Sequence, residues 1–125
     1  MTFAKATAGA LIAAGVAAVA VIPAASGSVS AAAKKPVKRT VKVRDYYLSP
    51  VKLTVPRKST ITFKWPSIEG DTHNVALVKG PKGVKHWKSQ YASSDYSYKR
   101  KLWKKGKYKV ICQLHPDMHT TITVK

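Results

Sequence analysis

Beyond residue 33, apolar residues recur at every second position, in short runs broken by proline and glycine. Val41 and Val43 share one parity; Val51, Leu53 and Val55 take it up after Ser49-Pro50, and Ile61, Phe63 and Trp65 take it up again. Val75 and Leu77, with His73 on the same parity, precede Gly80-Pro81. Tyr96–Leu102 and Lys107–Cys112 flank a turn at Gly106, and Ile122 and Val124 make a last strand. A side-chain period of two puts one face of each run on a core and the other in water. No stretch of this region has helical periodicity, and Val84–Asp95, with neither pattern, reads as a loop or a short helix. Short strands separated by turns roughly every 8–12 residues predict an all-β chain, a Greek-key β-sandwich. Its expected core contains Phe63, Trp65, Leu77, Leu102, Tyr108 and Val110.

The first 33 residues follow another rule. Lys5 is followed by an apolar run from Ala8 to Ile22, then Pro23 and small residues through Ala33. A short positive start, an apolar stretch and Ala-x-Ala-like sites read as a cleavable secretory signal peptide over residues 1–33, cut between Ala25 and Ala33, most simply in Ser30–Ala33. The run is too short and too rich in alanine to make a convincing membrane span. The expected domain is residues 34–125, 92 residues long, one unit without repeats or linkers. Its location is secreted or extracytoplasmic, periplasmic or at the cell surface.

Charge is the second strong feature. The chain has 23 Lys+Arg against 5 Asp+Glu, a formal net charge of +18. Residues 1–33 hold one basic residue and no acidic one, so the 92-residue domain carries +17. Most lysines alternate with apolar residues, as expected of solvated strand faces that resist edge aggregation. Lys99-Arg100-Lys101 and Lys104-Lys105-Gly106-Lys107 are denser and create a field. Interleaved Tyr96, Tyr98, Trp103 and Tyr108 would suit single-stranded nucleic acid, but export argues against nucleic acid as the partner. An acidic redox protein fits best, and an anionic cell-wall polymer or membrane surface fits the location too. The domain is expected to be a monomer.

One cysteine in an exported chain excludes a disulfide scaffold and multi-cysteine zinc sites, and asks for another role. Cys112 sits in the run Tyr108-Lys-Val-Ile-Cys112-Gln-Leu-His115-Pro-Asp-Met118, with Asp71-Thr-His73-Asn74 far upstream. Two imidazoles, a thiolate and a thioether are the ligand set of a mononuclear copper electron-transfer site. The thiolate binds Cu(II) covalently, the imidazoles suit both oxidation states, and a weak axial thioether favours Cu(I). Cys112 ends a strand, His115 and Met118 follow three and six residues on along a loop, and His73 comes from a neighbouring strand. Asn74 is placed to bond across to the Cys112 loop as outer support. A thioether is a poor zinc ligand, so Met118 argues for copper over zinc. A buried structural thiol would not account for His115, Met118 and His73-Asn74 together. A cysteine nucleophile with His115 as base lacks an oxyanion hole and a third group. No paired carboxylates, phosphate loop or haem motif occurs, and no enzyme activity is expected. His86 reads as a surface residue; His119, directly after Met118, is either a surface residue or a competing ligand.

These residues resemble the cupredoxins, the blue-copper proteins that include plastocyanin and amicyanin. The likeness covers nearly all of residues 34–125, and the short Cys-x-x-His-Pro-x-Met loop is similar to that of amicyanin. It implies a cupredoxin-like Greek-key sandwich and one type 1 copper ion, with His73, Cys112, His115 and Met118 as its metal ligands. It implies a one-electron carrier cycling Cu(II)/Cu(I). Copper storage or delivery, or a polyanion-binding adhesion module on the same frame, remain the alternatives. Arg100 departs from the pattern, falling where the family buries an apolar residue, which predicts an edge or shifted strand.

Overall fold

A computed structural model describes residues 34–125; the secretory leader expected over residues 1–33 lies outside the described residues. The period-two runs become eight strands: β1 (Lys38–Arg44), β2 (Tyr47–Ser49), β3 (Lys52–Val55), β4 (Ser59–Lys64), β5 (Ala76–Lys79), β6 (Ser97–Leu102), β7 (Gly106–Ile111) and β8 (His119–Val124). They form two four-stranded sheets, ordered β2-β1-β4-β6 and β3-β8-β7-β5. β1 pairs parallel to β4, with Val41 beside Phe63, and β3 pairs parallel to β8, with Val55 beside Val124; the other pairings are antiparallel. A parallel pair cannot be joined by a tight turn. Between β1 and β4 the chain therefore makes β2, crosses to the other sheet for β3, and returns, giving the expected two-layer all-β sandwich.

The inward residues of both sheets meet between the layers. Val41, Val43, Ile61 and Phe63 come from one sheet and Val55, Val110, Ile122 and Val124 from the other, all buried. The six residues expected in the core are each no more than 2% exposed. Burying a side chain of this size contributes about 1.5–3 kcal/mol, so such residues outweigh local preference in setting register. Two polar groups of the core find partners: the Trp65 indole N–H donates to the Ala92 carbonyl at 2.9 Å, and the Thr120 hydroxyl donates to the Pro50 carbonyl at 2.7 Å. Burial pushes the Tyr108 phenol above its usual pKa, and its hydroxyl donates to the Lys104 carbonyl. Gly106 sits at φ 137°, and a Cβ there would lie 2.7 Å from Pro81 Cγ, so the β6–β7 turn needs glycine on both counts.

Three details depart from or refine the sequence expectations. β2 has only three residues and one buried side chain, Leu48, too few for alternation to reveal it. Val84–Asp95 is a loop, held by bridges of Ala92 to His73 and Lys88 to Ala76. β6 is an edge strand, as Arg100 indicated. The Arg100 guanidinium lies 5.5 Å from the Trp87 ring centroid and 5.9 Å from that of Tyr98, while its Nε is buried without a partner.

Polar loops collect at two ends. The β1–β2, β4–β5 and β7–β8 connections share one end with Asp95, which precedes β6; the β3–β4 and β6–β7 turns share the other. All five carboxylate side chains, Asp45, Glu69, Asp71, Asp95 and Asp117, stand in loops of the first end. The Lys104-Lys105 cluster occupies the second, one strand length away.

Phe63 packs between the sheets against Trp87 and Tyr98, with ring centroids 5.9 and 6.5 Å away. Phe63→Ala is expected to lower stability by about 3–5 kcal/mol. Chemical denaturation of the metal-free protein measures this directly; a loss under 1 kcal/mol would mean that the layers close without it.

Candidate metal centre

The centre forms where β7 ends and the chain turns towards β8. Val110 and Ile111 still pair with Thr120 and His119, and the next backbone N–H, of Cys112, donates to the Met118 carbonyl at 3.1 Å. That bond closes a seven-residue loop. Inside it the His115 N–H donates to the Cys112 carbonyl at 3.2 Å and the Met118 N–H to the His115 carbonyl at 2.8 Å. The loop is therefore two linked tight turns, which bring His115 back beside Cys112 and bury Met118 beneath them.

The distant ligand candidate arrives by another route. His73 precedes β5 and is fixed by a reciprocal backbone pair with Ala92, at 3.0 and 2.9 Å. Its side chain is buried, and its Nδ1 lies 3.8 Å from the Cys112 Sγ; the His115 Nδ1 lies at the same distance. The ligand atoms of His73, Cys112 and His115 all fall within 4.8 Å of one another. A first-row transition ion bound to nitrogen and sulfur at roughly 2.0–2.3 Å in a trigonal plane would hold those atoms roughly 3.7 Å apart. The observed spacing fits one shared ion. His119 stays outside this group, exposed, its Nδ1 3.0 Å from the Asp117 carbonyl oxygen, and His86 is exposed as expected.

Asn74 clamps the two halves together. Its amide N–H donates to Gln113 Oε1 at 2.8 Å, and its carbonyl accepts the Gln113 backbone N–H at 2.9 Å. The expected bridge to the Cys112 loop is present, with Gln113 as the partner.

The outer edge of the site was not legible in the sequence. Asp45, from the β1–β2 connection, accepts from His73 Nε2 at 2.6 Å. An ionised carboxylate can only accept, so the proton stays on Nε2 and the Nδ1 lone pair faces the sulfur. Tyr46 lies edge-on to both imidazoles, with centroids 5.8 Å from His73 and 5.0 Å from His115, and its hydroxyl donates to Asp71 at 3.0 Å. Asp71 is 3.7 Å from His115 Nε2, and its backbone N–H donates to Asp45. The Thr72 N–H and then the Tyr46 hydroxyl hold the Asp71 carboxyl below its usual pKa, and the same hydrogen bond to Asp71 raises that of the Tyr46 phenol. Gly70 permits the approach, since a Cβ there would lie 2.7 Å from Asp45 Oδ2. No spacing rule links Asp45 or Tyr46 to His73; only the scarcity of carboxylates in this chain marks Asp45 as unusual.

Comparison with known proteins agrees with this geometry. A model of the cupredoxin-like domain matches residues 11–124. No curated protein sequence gives a significant match. Among solved structures, a purple cupredoxin from Nitrosopumilus maritimus aligns at 20% identity and a TM-score of 0.59, over 70% of this chain and 99% of that one. A reduced Cu(I) form of an amicyanin variant aligns at 23% identity and a TM-score of 0.61, over 77% and 88%. A copper-containing nitrite reductase from Thermus scotoductus SA-01 aligns at 23% identity and a TM-score of 0.60, over 74% of this chain; the chain spans only 23% of that enzyme. With this fold, His73, Cys112, His115 and Met118 are positioned as a type 1 copper site, and copper is the cofactor they fit.

If Asp45 sets the tautomer of His73, Asp45→Asn should weaken copper binding about 10–100-fold. Competition with a copper chelator measures it, with circular dichroism of the metal-free variant as the folding control. Unchanged affinity would make Asp45 a surface contact only.

Proposed function

Because the chain belongs to the cupredoxin-like family, we propose that it is a one-electron carrier whose copper is held by His73, Cys112, His115 and Met118. The observation that carries this reading is the convergence of one sulfur and two imidazole nitrogens, each nitrogen 3.8 Å from the sulfur, on a loop that closes at the buried Met118. A bound type 1 copper ion supplies the one-electron couple between Cu(II) and Cu(I).

The protein's part is to hold the donors still. Cys112 is anchored by the β7–β8 ladder, His73 by its pairing with Ala92 and its bond to Asp45, and the loop by Asn74. Donors locked by packing cannot rearrange when the charge at the site changes, which keeps the cost of electron transfer low. His115 is the one candidate ligand that reaches water, with its side chain 31% exposed. Its ring edge is the shortest route from the buried sulfur to a docked partner. The leader-like residues 1–33 support export, so the carrier works outside the cytoplasm.

An acidic redox protein is the partner that the charge of +17 favours, through a field that decays over about 8 Å at physiological salt. Carboxylates rim the His115 end, so orientation falls to cations at the ends of the first sheet. Arg44 and Lys64 are such residues, lining a groove with Trp65, Pro66 and Asp95.

Cys112→Ser tests the reading most directly. Serine offers no soft thiolate, so the intense visible thiolate-to-copper band of the loaded protein should vanish even if copper still binds the histidines. A full band in the variant would refute the assignment of Cys112.

Met118→Leu tests the axial role. Copper and the visible band should persist while the reduction potential rises: a weak donor favours Cu(I) more than a strong one would, and leucine, which donates nothing, extends that trend. Protein-film voltammetry reads the shift; an unchanged or lower potential would reduce Met118 to core packing.

A further inference from the structure

The end of the sandwich opposite the metal centre has a composition the fold does not require. Trp103, at the tip of the β6–β7 turn, is 60% exposed, although its neighbour Leu102 is buried. Around it stand Arg57, Lys58, Lys82, Lys104, Lys105 and Lys125, all exposed. Backbone contacts draw them together: the Lys58 N–H donates to the Leu102 carbonyl at 2.7 Å, and the Arg57 N–H to the Lys125 carbonyl at 3.2 Å. The Lys104 ammonium donates to the Lys82 carbonyl, and that of Lys101 lies 4.5 Å from the centroid of the Trp103 ring. No Asp or Glu side chain lies at this end, since all five are in loops at the other. Cations gathered without acidic side chains among them repel one another and destabilise the compact state. Sheet pairing alone gives no reason to gather them, or to leave an indole in water.

We propose that this end docks on an anionic phospholipid bilayer, with Trp103 seated at the headgroup level and the surrounding cations over lipid phosphates. The tryptophan decides between a bilayer and a soluble polyanion. Indole settles at a membrane interface, where an apolar body and a polar N–H are both accommodated. A hydrated polymer offers no such layer. The charge supplies the rest, each basic residue near an anionic leaflet raising partition about fivefold. The carboxylate rim enforces the same orientation, because it is repelled by the surface that attracts the other end. β7 spans the distance between them, six residues or roughly 20 Å. His115 then faces away from the bilayer, open to a partner. Docking of this kind does not depend on copper and should be the same with and without it.

Co-sedimentation of the protein recovered after export, without its leader, tests the proposal, using vesicles of phosphatidylcholine alone and of an equimolar mixture with phosphatidylglycerol. Binding is expected to the mixture and not to phosphatidylcholine, in metal-free and copper-loaded protein alike. Lys104→Glu with Lys105→Glu should weaken it by about twentyfold or more. Trp103→Ala should weaken it several-fold and remove the vesicle-induced blue shift of tryptophan emission. Lys52→Glu with Lys109→Glu, an equal charge change on the outer face of the second sheet, where both flank Thr121, should have little effect; denaturation midpoints confirm that each variant is folded. Equal binding to both vesicle types would overturn the proposal, because an apolar segment would then suffice. Equal loss in both charge pairs would overturn it in favour of net charge alone. Polyphosphate binding tighter than vesicle binding, with Trp103→Ala unaffected, would assign this end to a polyanion instead.

Discussion

The site depends on the pairing of β7 with β8 across the loop they enclose. The ladder runs from Gly106 beside Val124 to Ile111 beside His119, and the Cys112 N–H to Met118 carbonyl bond adds one rung beyond it. That rung decides where the sulfur points. A strand alternates its side chains, so the inward parity of Tyr108 and Val110 carries Cys112 inward as well. A one-residue slip in register would turn the sulfur to solvent and spoil the core at once. Core packing and donor placement are thus enforced by the same hydrogen bonds, and in a chain with one cysteine no disulfide shares the work.

The second constraint joins segments distant in sequence. His73 and Asn74 enter from the β4–β5 connection, yet they meet residues of the Cys112 loop and the β1–β2 connection. Asn74 forms two bonds with Gln113, and His73 is gripped on one side by Asp45 while its other nitrogen faces the sulfur. Such groups add little as single surface contacts. As a mutually satisfied set around the buried His73 and Asn74 they fix one geometry, because a rearrangement leaves a buried polar group unpaired.

Charge is arranged along the same axis. On the outer face of the first sheet Lys42 stands beside Lys64, a cross-strand pairing of like charges that costs stability. Asp95 lines the same groove as Lys64, and all five carboxylates lie at that end. The molecule is consequently polar end to end, with a carboxylate rim around the exposed histidine and a lysine-rich turn region far from it. At long range the net charge governs attraction, whereas at short range this separation decides which end faces a charged surface.

Strand alternation, the Gly106 turn and the core residues were legible in the sequence because they follow from local parity and the burial of apolar groups. The donor set was legible too, because Cys112, His115 and Met118 lie within one loop and their chemical types admit few other uses. His73-Asn74 stood out by composition. Tertiary structure alone decided that Asp45 and Tyr46 cap the imidazoles, that Gln113 completes the clamp, that β2 exists, and that every carboxylate gathers at one end. Apart from β2, which is too short to show a period, these arise where loops distant in sequence meet at one end. Residues on the same parity declare their shared environment along the chain, whereas loops meeting at the end of a sandwich share only a position in space, and no periodicity records it.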